Sequence, residues 1–270
     1  MSAVLTRRGM RDSNPVTGAM VGTLVQVVVL GSLVAAQPPA EINIMGLLFF
    51  VASGILASTL GRLFNYTSIE RLGVPMSATI IGSSPLFSTL LAVVFIREAV
   101  SVTTLLGTLL IIGGVAATSG KGGSAPSLRD SAILLPVTAA FFYGASSVTR
   151  KIGMNLLPDS TLGAFVGTAS SLVFFLAYII GPERLGTVKI TRNSGPYFVA
   201  SGLVVSAGWL SMYSAIAEGS VSVVSALIGT NPLFSLTLSL IFLRDTEALD
   251  RSVAAGCLAI VAGAIIITLF

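Results

Sequence analysis

Two short stretches hold the side chains best suited to chemistry. Gly82-Ser83-Ser84-Pro85-Leu86-Phe87-Ser88 returns 147 positions later as Gly229-Thr230-Asn231-Pro232-Leu233-Phe234-Ser235. In each, two small polar residues stand directly before a proline inside an apolar run. In hydrocarbon such groups hydrogen-bond to one another, to freed backbone or to a solute. Ser83, Ser84, Thr230 and Asn231 are therefore candidate solute contacts. Asn231 is foremost, because an amide is harder to hide in a helix bundle than a hydroxyl. Proline adds a second element. Without an N–H, Pro85 and Pro232 deprive the carbonyls of Ile81 and Ile228 of their usual donors, which predicts a kink and a hinge in mid-helix, or a packing bend.

Aromatic residues form the next group. Tyr66 and Tyr213 occupy matching positions late in the third helix of each half, Asn65 adjoins Tyr66, Trp209 lies one turn before Tyr213, and Tyr143 sits in the opening helix of the second half. They suit the wall of a cavity for flat or amphipathic solutes, or, for the two tyrosines, an interfacial aromatic belt. Gly107, Gly114, Gly256 and Gly263 read as close-packing positions. Arg97-Glu98 and Arg244-Asp245 read as helix-end anchors, with a gating role as the alternative.

Other chemistries are excluded. The chain has no histidine and one cysteine, Cys257, so a histidine-based metal site, a Ser-His-Asp triad and an intrachain disulfide are ruled out. No cofactor is expected. No Asp or Glu lies within an apolar run, and Arg62 and Arg150 lie about a turn from the expected helix ends, where they can snorkel. Nothing therefore marks a proton-coupling group, so facilitated diffusion or exchange fits as well as antiport. The lack of buried basic pairs argues against a highly anionic solute. The net charge of +4 is scattered through connectors, which excludes nucleic acid as a partner.

The elements that position these residues follow from composition. The chain is 54% hydrophobic and 10% charged, against about 25% charged residues in soluble domains. Nine apolar helices are expected, at roughly 16–36, 44–66, 75–96, 102–119, 131–150, 162–181, 196–216, 221–243 and 252–269. The duplication extends well beyond the proline motifs. Phe50-Val51-Ala52-Ser53-Gly54 returns as Phe198-Val199-Ala200-Ser201-Gly202, and Val21-Gly22-Thr23 as Val166-Gly167-Thr168. That register argues against reading the first apolar run as a signal peptide, since its twin is internal. It also implies that the first repeat lacks a helix: 131–150 precedes Thr149-Arg150-Lys151 in the second half, but only a few residues precede Thr6-Arg7-Arg8. The expected fold is an all-α polytopic membrane bundle, an inverted repeat of five-helix units with four and five helices present. Residues 1–119 form one repeat, 120–130 the connecting loop and 131–270 the other. An odd count of five inverts the second unit, the arrangement of alternating-access carriers. With residues 1–15 inside, twelve basic residues fall on the inner side and Arg97, Arg150 and Lys151 outside, which places Phe270 outside.

These features resemble the drug/metabolite transporter superfamily, and within it the ten-helix EamA-type members. The resemblance rests on the proline-containing helices ending in Phe95-Ile96-Arg97-Glu98 and Phe242-Leu243-Arg244-Asp245. It rests also on the Gly-punctuated fifth helices and on the run from Tyr143-Gly144 to Arg150-Lys151. Family members are typically cytoplasmic at both ends, from which the charge bias departs. The resemblance implies a multi-pass protein of the plasma (inner) membrane that moves a small neutral or zwitterionic solute, an amino acid or related metabolite, outward. Its partners are then the small-molecule solute and the lipid bilayer, with a homodimer as an open arrangement. The alternatives are a truncated non-transporting membrane scaffold and an integral membrane lipid enzyme.

Overall fold

The computed structural model describes residues 1–39, 41–72, 74–118, 131–179, 189–231, 233–234 and 251–269. Pro232, Arg244, Asp245 and the side chain of Tyr66 lie outside the described residues. The elements are α1 (Ser2–Gly9), α2 (Pro15–Ala36), α3 (Ile44–Gly54), α4 (Arg62–Leu72), α5 (Val74–Ile81), α6 (Ser84–Ile96), α7 (Val102–Thr118), α8 (Leu134–Leu156), α9 (Ser160–Ile179), α10 (Ser194–Glu218), α11 (Val221–Ile228) and α12 (Arg251–Leu269). A π-helical segment, Ile55–Gly61, joins α3 to α4. Among the described residues there is no strand.

Four helical spans are long and apolar enough to cross a bilayer: Thr17–Ala36, Ile44–Ile69, Met76–Ile96 and Ser194–Glu218. Shorter apolar helices run over Val102–Ala117, Ser160–Phe174 and Ala255–Leu269. Val28, Leu48, Val94, Phe95 and Leu258 are each more than half exposed, as lipid-facing side chains are. The protein is an all-α, multi-pass integral membrane protein.

Helix starts obey the repeat. Asn14 Oδ1 accepts the Thr17 N–H at 2.8 Å, and Asp159 Oδ1 accepts that of Leu162 at 2.8 Å, 145 positions on. Asn43 Oδ1 accepts the Gly46 N–H at 3.1 Å, and Thr191 Oγ1 that of Ser194 at 3.1 Å, 148 positions on. Each cap satisfies an amide that the helix leaves unpaired, which stabilises the helix by about 1 kcal/mol.

The chain divides into two compact units, each drawing on both sequence halves. The first comprises Met1–Ile55 and Arg150–Glu218. Its contacts are exchanged between the halves. A Cβ on Gly153 or Gly163 would meet the Phe50 ring at 2.6 and 2.9 Å; one on Gly9 or Gly18 would meet the Phe198 ring at 2.6 and 2.8 Å. Phe50 and Phe198 are repeat mates and both are fully buried, so each half's ring fills a glycine notch in the other. Likewise Gly54 lies against the Gly167 carbonyl, and a Cβ on Gly202 would lie 3.0 Å from that of Gly22.

The second unit comprises Leu56–Thr149 and Gly219–Phe270. Here α7 and α12 pack along their glycines. A Cβ on Gly107 would stand 2.7 Å from the Gly263 carbonyl, one on Gly263 2.5 Å from that of Gly107, and one on Gly114 2.6 Å from that of Gly256. Ile111, Val115, Ala226, Ile260 and Ile267 form the core beside them. Because the obstructing atoms are backbone, Gly114→Ala must separate the helices. It is expected to cost about 1–2 kcal/mol and to lower the detergent melting midpoint. Gly113→Ala, which meets nothing within 4 Å among the described residues, should not lower the midpoint and gains helix propensity of up to about 1 kcal/mol.

Candidate functional site

The described residues of the two Gly-x-x-Pro stretches make matching hydrogen bonds. In the first, Gly82 N–H donates to the Ala78 carbonyl (2.8 Å), Ser83 N–H to Ile80 (3.0 Å) and Leu86 N–H to Ser83 (2.9 Å). In the second, Gly229 N–H donates to Ser225 (3.1 Å), Thr230 N–H to Leu227 (3.0 Å) and Leu233 N–H to Thr230 (2.9 Å). The hydroxyls repeat too: Ser83 Oγ donates to Ile80 at 2.6 Å and Thr230 Oγ1 to Leu227 at 2.7 Å. The tight i→i−3 bonds interrupt the α-helical ladder at both places.

This corrects the mid-helix kink expected from Pro85. The α-helix stops at Ile81, and Pro85 lies in the first turn of α6, where a missing N–H leaves no gap. Ile81 and Ile228 are thus terminal residues of α5 and α11, not points within a continuing ladder. Pro232 itself lies outside the described residues.

The breaks adjoin. A Cβ on Gly229 would lie 3.5 Å from Pro85 Cγ and 3.1 Å from Ile111 Cγ2 of α7; one on Gly82 would lie 2.9 Å from Val115 Cγ1, one turn along the same helix. Ser83 and Thr230 are engaged by their own helix ends. Ser84, half-buried, and Asn231, exposed, make no side-chain hydrogen bond among the described residues, so their polar groups remain available at the junction.

Two other candidates join this unit. A Cβ on Gly61, where the π segment ends, would lie 2.8 Å from Tyr143 Cε1, and Asn65 Nδ2 donates to Tyr143 Oη over 3.5 Å. Gly144 packs against α6, where a Cβ would come 2.7 Å from Ser88 N and 2.8 Å from Phe87 Cβ. The aromatic–Gly pair thus docks α8 on α6 just beyond the break. The π segment carries no signature in Ile55–Gly61 that sequence reasoning could use, yet such segments recur at functional positions.

Trp209 and Tyr213 belong to the first unit. Tyr213 is only 1% exposed, buried inside the unit. Its ring meets Phe50 edge-on at 5.9 Å, and its Oη lies 3.4 Å from Ser53 Oγ. Sequence reasoning missed its main neighbour. The Arg150 guanidinium carbon stands 4.9 Å from the Tyr213 ring centre and 5.2 Å from that of Trp209, and Arg150 is only 3% exposed. This corrects the expectation that Arg150 snorkels. The next residue, Lys151, donates to the carbonyls of Ile216 (2.8 Å) and Ala217 (3.1 Å), capping α10 with positive charge.

Glu98 has a larger part than a loop anchor. Arg97 ends α6 in the left-handed conformation (φ 53°, ψ 37°), and Glu98 N–H returns to the Ala92 carbonyl at 3.2 Å. So turned, the Glu98 carboxylate accepts the N–H groups of Val221 (2.8 Å) and Ser222 (2.9 Å) and the Ser222 hydroxyl. It caps α11 from 123 positions away. Hydrogen bonds to a charged partner contribute about 1.5–3 kcal/mol.

A cavity of about 550 Å³ lies in the first unit, between Pro39–Asn43 and Leu156–Ser160. None of the sequence-derived candidates lines it. Its acids are Glu41, which is exposed, and Asp159, whose carboxylate caps α9. It is a recess between connectors, not the junction of the breaks.

Comparison with known proteins matches this arrangement to a family. The chain matches the EamA-like transporter family over residues 1–120 and 130–269. It is 29% identical over 145 residues to an uncharacterized protein of Methanocaldococcus jannaschii, covering 52% of this chain and 98% of that one. It is 24% identical over 183 residues to the uncharacterized transporter YxxF of Bacillus subtilis, covering 66% of this chain and 57% of the relative. A solved crystal structure superposes with a TM-score of 0.81 over 99% of this chain and 92% of the other, at 16% identity. At that identity the likeness speaks for the fold alone.

Proposed function

The chain belongs to the EamA-like transporter family and is a membrane transporter; from this premise we propose that it exports a small neutral or zwitterionic solute, an amino acid or related metabolite, across the plasma membrane by alternating access. The observation that carries this reading is the pair of adjoining helix breaks. Discontinuous helices meeting in mid-bundle are how carriers present polar groups to a solute in hydrocarbon. The groups on offer at the junction, the Ser84 hydroxyl and the Asn231 amide, are uncharged, which suits a solute without net charge. Tyr143, whose neighbour Gly144 packs on α6, and Asn65, which donates to Tyr143, supply an amphipathic wall; Tyr66 is the sequence neighbour of Asn65. Bending at residues 82–83 and 229–230 lets the halves exchange conformations, and an inverted relation between the repeats would relate the two end states by a pseudo-two-fold axis in the membrane plane.

The test is transport in vesicles reconstituted with the purified protein. Labelled neutral amino acids are offered with a proton gradient imposed and then collapsed. Saturable counterflow is expected for at least one solute, and an effect of the gradient would identify antiport. Asn231→Ala is expected to reduce the rate about tenfold, the scale of one lost hydrogen bond of about 1–2 kcal/mol in a membrane, with insertion unchanged. Wild-type flux in that variant removes Asn231 from the site. Uptake no greater than in empty vesicles for all solutes would favour the scaffold reading.

A further inference from the structure

The seam between α6 and α11 is built from small side chains, and four of the nine buried residues on the two helices carry hydroxyls. The buried face of α6 is Pro85, Ser88, Thr89 and Ala92; that of α11 is Val221, Ser222, Val224, Ser225 and Ala226. The two helices pack together. Thr89 Oγ1 and Ser225 Oγ are buried without a hydrogen-bond partner among the described residues. Buried hydroxyls left unsatisfied oppose closure, since opening would return them to water or polar groups. One end of this seam is held by the junction of Pro85 with Gly229, the other by the three hydrogen bonds that Glu98 accepts from Val221 and Ser222. The helices come from opposite sequence halves, so Glu98 ties the halves together at one end of the broken helices.

We propose that Glu98 is a positioning residue of the transport cycle: its capping of α11 holds one face of the pathway closed, and its release opens the seam toward that face. This rests on the alternating-access reading above. Two unsatisfied hydroxyls weaken the closed seam, so one charge-assisted contact is enough to bias it. Val221 and Ser222 are buried, so their amides need a replacement partner when Glu98 leaves. Water entering the opened seam supplies one. Asp245 is the sequence counterpart of Glu98 and lies outside the described residues.

The experiment uses the full chain with Cys257→Ser, which removes its one cysteine, and a reporter Ser84→Cys at the junction. A membrane-impermeant maleimide is applied to each side of oriented vesicles, and the face bearing Glu98 is identified with a separate reporter at exposed Ala99→Cys. Glu98→Gln is expected to raise the labelling rate of the Ser84→Cys reporter from the Glu98 face about tenfold, the scale of losing a charged acceptor for two amides. Labelling from the opposite face should fall. Ser222→Ala, which removes one of the three bonds and leaves both amides capped, should shift both rates in the same directions by about twofold to threefold. Rates unchanged by both substitutions, with the reporter labelled from each face, overturn the latch while leaving alternating access standing. A reporter labelled from neither face in every variant overturns alternating access and the latch together. Monodispersity in detergent shows that each variant is folded, and if Glu98→Gln fails that check the Ser222→Ala shift alone decides.

Discussion

Replacing Gly82 and Pro85 together by alanine is expected to slow turnover about 10- to 100-fold while changing the half-saturating solute concentration by no more than about threefold. The break exists because three local preferences agree. Gly82 is a poor helix former, Pro85 is favoured in a first turn, and the Ser83 hydroxyl takes the Ile80 carbonyl at 2.6 Å in competition with the helical ladder. Removing the first two puts an N–H at position 85 that can donate to the Ile81 carbonyl. A continuous helix is then favoured by about 1 kcal/mol for the glycine and about 3 kcal/mol for the proline, less whatever packing already offsets. Each 1.36 kcal/mol added to the barrier for bending is a tenfold loss of rate. The proposed solute contacts at Ser84 and Asn231 are left in place by the two substitutions, so binding is expected to change little. Initial rates of counterflow over a range of solute concentrations separate the two effects. Leu90→Ala, at a mostly exposed position of the same helix, is the control and should turn over normally. Unchanged turnover in the double variant would make the break a packing feature.

Much of this junction was legible in the sequence because duplication shows each element twice. The repeat register located both breaks, and the identities at Ser83, Ser84, Thr230 and Asn231 named the polar groups. It did not reveal that Pro85 begins a helix, because the deciding bond, from the Ser83 hydroxyl to Ile80, is a choice between two local geometries that composition leaves open. Glu98 was recognised as a helix-end group, but its partners Val221 and Ser222 are distant in sequence, and nothing in a single sequence pairs an acid with a particular helix start. Arg150 failed for a simpler reason. Apolar content placed the end of its helix near residue 150, whereas α8 continues to Leu156. A residue read as terminal is therefore more than a turn inside, and its guanidinium cannot extend past the helix end to water. Helix ends in polar sequence are set by caps and packing as much as by hydropathy.

Arg150→Lys is expected to destabilise the protein by about 2–3 kcal/mol, and by more than Arg150→Met does. The wild-type guanidinium is planar, weakly hydrated and lies against the Trp209 and Tyr213 rings at 5.2 and 4.9 Å; one amino group also contacts Met212 Sδ at 3.7 Å. A cation desolvated against aromatic faces gains about 2 kcal/mol or more from them, which offsets the penalty of burying its charge. Lysine keeps the charge and its desolvation cost but is a compact, strongly hydrated ammonium on a shorter reach, so it cannot lie flat over two rings. Methionine gives up the cation–π attraction and the burial penalty together, and its thioether adapts to an aromatic surround. The order of stability is therefore Arg, Met, Lys, whereas a role set by charge alone would place Lys above Met. Thermal midpoints in detergent test the order. Trp209 is the chain's one tryptophan, so its emission reports directly on the stack, and both substitutions should shift it. A lysine variant as stable as wild type, with unshifted emission, would mean that Arg150 is held by its charge alone and that the rings merely adjoin it.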